Sequence, residues 1–215
     1  MTMSASRSSG LPRGIRFAAL VSLVLAALTG WSALSEATQL EHFYESRERQ
    51  LEVDYPTWMG DKALMETVVR THFSALEPMR EPRLVLMGVL SIACAFVFVA
   101  AARMLRPDGL PREGMRKMLG RAALVVAVLR TIDGAQLAVV ARRMGIAMAE
   151  GLRHLPAYQD DVGTQVASSV PSVAVFASVL GTAIIAGTFA LLGQYFRSDS
   201  VRDAVLARDP EPEED

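Results

Sequence analysis

Four nearly charge-free blocks of about 18 to 27 residues dominate this 215-residue chain, and the charged residues sit between them. The blocks cover residues 17–34, 84–104, 119–141 and 170–196. A hydrocarbon layer ~30 Å thick is crossed by about 20 helical residues, so each block has the length of one membrane span. Lipid offers the backbone no hydrogen-bond partner, which makes a span of this kind helical. The expected fold is therefore all-α: a polytopic membrane four-helix bundle. A hydrophobic content of 51% would also suit a soluble core; the segregation of apolar from charged residues is what separates the two cases.

The first block has two readings. Residues 1–16 carry Arg7, Arg13 and Arg16 and no acid, and Phe17 to Leu34 is apolar. This is a first transmembrane helix, or a signal peptide cleaved near Ala33-Leu34-Ser35 or Ser35-Glu36-Ala37. Residues 35–83 form a polar loop with ten acids and six bases. Within it, a charged helix is expected from Ala37 to Leu51, with an interruption at Tyr55-Pro56 and Gly60. Asp61 is a suitable N-cap for a second helix. Leu64, Met65, Val68, Val69, His72, Phe73 and Leu76 then recur at helical spacing until Pro78 stops the helix. Two short amphipathic helices should form a cap on the bundle or on the membrane surface.

Residues 105–118 make a short basic loop turned by Pro107, Gly109 and Pro111, and residues 142–169 a second polar loop, whose first part to about Leu155 can continue the third helix. Residues 197–215 are a polar tail, with Ser200 and Asp203 placed as a capping box ahead of a solvated DPEPEED end. From Arg103 to Arg121 there are six bases against two acids. Together with the basic N-terminal segment, this places both termini in the cytoplasm and the 35–83 cap outside. Arg142 and Arg143 oppose that orientation and are outnumbered. Arginine outnumbers lysine twenty to two, a composition that fits a bacterial inner membrane.

The third block contains the sharpest feature, LRTID at 129–133. Arg130 and Asp133 straddle the centre of the twenty residues between Arg121 and Arg142. A charge at the middle of a span costs roughly 2.5–3.5 kcal/mol. At a spacing of three the two share a helix face and can pair. They are either an ion pair that docks the helix into the bundle or a coupling site for a proton or cation. Ala123, Val126, Ala127, Gly134 and Leu137 lie on the same stripe, and small residues there let a neighbour approach closely. The fourth block offers a matching surface: Ala177 and Gly181 for packing, and Ser178 and Thr182 as hydrogen-bonding partners for Arg130 or Asp133.

Other chemistry finds little support. The net charge of −1 gives no field for nucleic acid. Cys94 is the sole cysteine, so neither a disulfide nor a CxxC site can form. His42, His72 and His154 all lie in the outer loops, without HxxxH spacing, and are weak metal candidates. No intramembrane histidine exists to hold haem or to activate a serine. Walker A, GxSxG, HExxH and Rossmann patterns are lacking. The expectation is a non-enzymatic membrane protein without cofactor. Its partners would be the lipid bilayer and a protein partner or a second copy, and it would serve as a scaffold or regulatory subunit. The alternative is an oligomeric transporter or channel subunit that uses Arg130 and Asp133.

Overall fold

The computed structural model describes residues 11–53, 62–106 and 112–207. The expected features at Tyr55-Pro56, Gly60 and Asp61, at Pro107, Gly109 and Pro111, and in the acidic tail lie outside the described residues. Among the described residues seven α-helices follow in order: α1 (Arg13–Glu41), α2 (Phe43–Glu52), α3 (Lys62–Leu76), α4 (Arg80–Leu105), α5 (Arg112–Arg153), α6 (Asp161–Arg197) and α7 (Asp199–Leu206). No strand occurs among the described residues. The fold is all-α, and four of its helices are long and apolar enough to cross a membrane.

The long helices overrun the apolar blocks. α1 continues to Glu41, and α5 holds 42 residues. At 1.5 Å per residue, α5 is about 63 Å long, twice what the hydrocarbon layer requires. It therefore continues well past residue 141, and α6 starts at Asp161 rather than near 170. The expected 142–169 loop is mostly helix, with only a short turn at Pro156–Tyr158. Arg142, Arg143 and Glu150 cost a helix nothing once it has left the apolar layer. α3 ends at Leu76, and a 3-10 turn at Glu77–Met79 carries Pro78 before α4 begins. Near the C-terminus Ser198, not Ser200, occupies the N-cap position of α7, and its hydroxyl donates to the Tyr195 carbonyl.

Buried positions on two of the long helices share a spacing. On α1 they are Ile15, Ala19, Ser22, Ala26, Thr29, Ala33 and Leu40. On α4 they are Arg83, Met87, Leu90, Ala93, Cys94, Val97, Ala100, Ala101 and Met104. Steps of four and three run from Ile15 to Ala33 on α1 and from Arg83 to Met104 on α4, an average period of ~3.5 that keeps one seam facing its neighbours, with Ala93 and Ala100 widening it on α4.

The described residues divide into two compact units. The first comprises residues 11–32, 90–106, 112–127 and 187–207. Here Gly120 of α5 and Gly193 of α6 meet reciprocally. A Cβ on either would come against the other's carbonyl oxygen, so glycine sets the approach. Arg116 is buried and joins the two helices: it donates to the Phe196 carbonyl at the end of α6 and forms a fork with Glu113 at 2.6 and 2.8 Å. Arg116 thus caps one of the orphan carbonyl groups that α6 leaves open, that of Phe196.

Hydrogen bonding from Arg116 is the main reason the Glu113 carboxyl falls to about 2. Because that value is depressed on folding, the pairing adds stability that is complete above the ordinary 4.5 and lost as pH falls through about 2. Glu113→Gln is therefore expected to shrink the acid-induced drop in melting temperature between about pH 4.5 and 2. Parallel pH profiles of the two proteins in detergent would contradict this.

The second unit comprises residues 33–53, 62–89 and 128–186. Its cap has a core of its own. Leu64 and Val68 of α3 pack with Leu152 of α5 and Ala167 of α6, and Met144, Met148, Leu155, Tyr158 and Val170 close around them. Phe43 of α2 meets Phe73 edge-on at 5.1 Å. Arg80 donates to the carbonyls of Leu40 and Glu41, which caps α1, and lies 5.6 Å from the centres of the Phe43 and Tyr44 rings.

Candidate functional site

The second unit contains a network of four charged residues and one amide, drawn from three helices. Glu36 comes from the last turns of α1, Arg83 from the first turn of α4, and Arg130, Asp133 and Gln136 from α5. Arg83 and Asp133 are fully buried. Arg83 Nε donates to Glu36 Oε1 at 2.6 Å, and Nη1 donates to Gln136 Oε1 at 3.1 Å. Nη2 lies 2.6 Å from Glu36 Oε1 and 2.8 Å from Asp133 Oδ1. The other Asp133 oxygen, Oδ2, accepts from Arg130 Nη1. Each oxygen of Asp133 therefore meets a different guanidinium.

Two arginines and two carboxylates make the network neutral overall. Neutrality matters because an unpaired charge in this setting is far more costly than a pair. The two outer members are less enclosed, with Glu36 side-chain exposure at 30% and Arg130 at 19%. The central Arg83–Asp133 pair has none. Its Nη2–Oδ1 approach is a charge contact without hydrogen-bond alignment, and Arg130 Nε is buried with no acceptor among the described residues. The arrangement holds α1, α4 and α5 in one register. An apolar cluster would bury the same volume at lower desolvation cost, but it would tolerate a slip.

The sequence-predicted residues fall into two groups. Arg130 and Asp133 pair on α5, and Ala127 and Gly134 are buried beside them. Gly134 lies so close to α6 that a Cβ would run into the Thr182 side chain. Ala177 and Gly181 do not make this contact: both are exposed, and a Cβ at 181 would meet nothing. The contacting ridge of α6 is displaced by one residue, a rotation of about 100°. It runs through Ser178, Thr182, Ile185 and Ala186, all at least half-buried. Among the described residues, neither Ser178 nor Thr182 hydrogen-bonds to Arg130 or Asp133. The amide of the network is instead Gln136 of α5, which accepts from Arg83.

Arg83 and Glu36 were missed because hydropathy ends a span at its first charge. The signal was present in the spacing. Arg83 continues the α4 seam one turn before Met87, and Glu36 falls between Ala33 and Leu40 on the α1 seam. A charge at a seam position faces the interior even when it ends the apolar run.

The histidines are dispersed. His42 and His154 are exposed, and His42 Nδ1 lies 3.1 Å from the Thr38 carbonyl. His72 is half-buried with Nδ1 3.2 Å from Met144 Sδ. Burial, and secondarily the charge of Arg83, holds its imidazole below the ordinary histidine value. No group of three histidine, cysteine or acidic residues among the described residues could hold a metal ion. A scan against protein-family models finds no match, and searches of curated proteins and of solved structures likewise return none.

Proposed function

We infer that the chain is a non-enzymatic membrane protein, a scaffold or regulatory subunit of a membrane complex, whose charged network is a structural lock. The observation that carries this reading is that Arg83, Asp133, Glu36 and Arg130 use their charges on one another. A coupling carboxylate needs room to exchange its ion, and both Asp133 oxygens are engaged by arginines at zero exposure. The cap, with its own packed core, offers a folded surface for a partner. α6 buries 11% of its most apolar window within the chain, against 33% or more for the other three, which leaves it open to lipid or to a partner helix.

We place the protein in a bacterial inner membrane with both termini cytoplasmic and α2 and α3 outside. The first helix is read as retained, since α1 runs unbroken through both candidate cleavage sites and Ala19, Ser22 and Ala26, ahead of them, are buried within the chain.

Flux in proteoliposomes tests this reading against the transporter or channel alternative. A compensated variant, Arg83→Met with Asp133→Leu, removes both fully enclosed charges together. A scaffold gives no proton or cation flux above empty vesicles, and the variant still restores cellular function. Wild-type flux that vanishes in a folded compensated variant would overturn the proposal. Cysteines placed at exposed Glu48 and Lys117, in a Cys94→Ala background, report the orientation. Labelling of position 117 from outside intact cells would reverse it.

A further inference from the structure

We propose that His72 and Met144, with Met148 as a third donor, form a binding site in the cap for a soft monovalent metal ion such as Cu(I). The geometry comes first. His72 Nδ1 and Met144 Sδ approach to 3.2 Å from two different helices, α3 and α5. Metal–imidazole and metal–sulfur bonds of about 2.0 and 2.3 Å, at an angle of roughly 95–120°, separate the two donors by about 3.2–3.7 Å. An ion can therefore enter with a small opening of the pair. Met148 follows Met144 by one helical turn, and both methionines pack against the same cap cluster. The long, unbranched methionine side chain reaches a new rotamer easily.

The donor set selects the ion. Thioether and imidazole are neutral, and soft thioether favours Cu(I) over hard or borderline divalent ions. No cluster of acids surrounds the pair among the described residues, so little would neutralise a double charge. Arg83, whose positive charge also acts on His72, disfavours an added cation, and a divalent ion more than a monovalent one. Because a thioether sulfur can only accept, the 3.2 Å contact puts the imidazole proton on Nδ1; an entering ion replaces that proton, which is lost or moves to Nε2. His72 and Met144 are both half-buried, which shields the ion while leaving a path from solvent. The site is independent of the scaffold reading.

The test is an anaerobic titration of Cu(I) into the purified full-length protein in detergent, in competition with a chromogenic Cu(I) chelator. It is repeated in a Cys94→Ala background to separate the thiol's contribution. One ion per chain should resist the chelator. His72→Gln and Met144→Leu should each weaken binding by about tenfold or more, and Met148→Leu should weaken it measurably. Met144→Leu and Met148→Leu keep side-chain volume, so an unchanged metal-free melting temperature certifies the fold. Met118→Leu, in the other unit, should leave affinity unchanged. Ag(I) should compete and Zn(II) should not. Absence of chelator-resistant Cu(I), equal affinity in the His72→Gln/Met144→Leu double variant, or Zn(II) binding as tight as Cu(I) would each overturn the proposal.

Discussion

Arg83→Met is expected to destabilise the protein by about 3–5 kcal/mol, the usual cost of removing one partner from a buried ion pair. The side chain volume is nearly kept, so the loss is electrostatic. Without Arg83, Glu36 has lost its guanidinium and Asp133 keeps only Arg130. Glu36 retains some access to water, but Asp133 has none. Asp133→Asn should be comparably damaging, because it sets two guanidiniums against a neutral amide. The compensated pair, Arg83→Met with Asp133→Leu, should recover most of the loss, since a well-packed apolar replacement of a buried pair is often neutral or better. Reversible unfolding in mixed detergent measures all three. Exposed Arg49→Met on α2 serves as the control. An Arg83→Met loss no larger than that of Arg49→Met would mean that the network does not lock the helices.

The second large effect concerns the approach of α6 to α5. Gly134→Ala should destabilise, although alanine gains up to about 1 kcal/mol of helix propensity over glycine. A Cβ at 134 overlaps Cβ, Oγ1 and Cγ2 of Thr182, and overpacking of this kind costs about 1–3 kcal/mol. Gly134→Leu should be worse and reduce yield in the membrane. Thr182→Gly should rescue Gly134→Ala, because it removes all three colliding atoms. Gly181→Ala supplies the contrast. Nothing stands near that position, so the change should be neutral or slightly stabilising. If Gly181→Ala disrupts the protein and Gly134→Ala does not, then α6 contacts α5 through the other ridge, the one through Ala177 and Gly181.

Several features were legible because they depend on local chemistry. Four spans follow from block length, and their helicity follows from the absence of hydrogen-bond partners in lipid. The Arg130–Asp133 pairing follows from a spacing of three on one helix. The end of α3 follows from Pro78, and its buried face from the recurrence of Leu64, Val68 and Phe73.

What the sequence by itself determined, then, is four helices long and apolar enough to cross a bilayer and the presence of an ion pair within the third. Only the tertiary structure decided what that pair is part of. Arg83 and Asp133 are fifty residues apart, and nothing local brings them together. Their contact depends on seam positions from separate helices meeting at one depth. The ridge that α6 presents to α5 was likewise undetermined: Ala177 and Gly181 are as small as a close contact requires, but a rotation of one residue turns them outward. Hydropathy reports the preference of a segment for lipid. It carries no information about the rotation of a helix about its axis, which is fixed by how neighbouring side chains interlock.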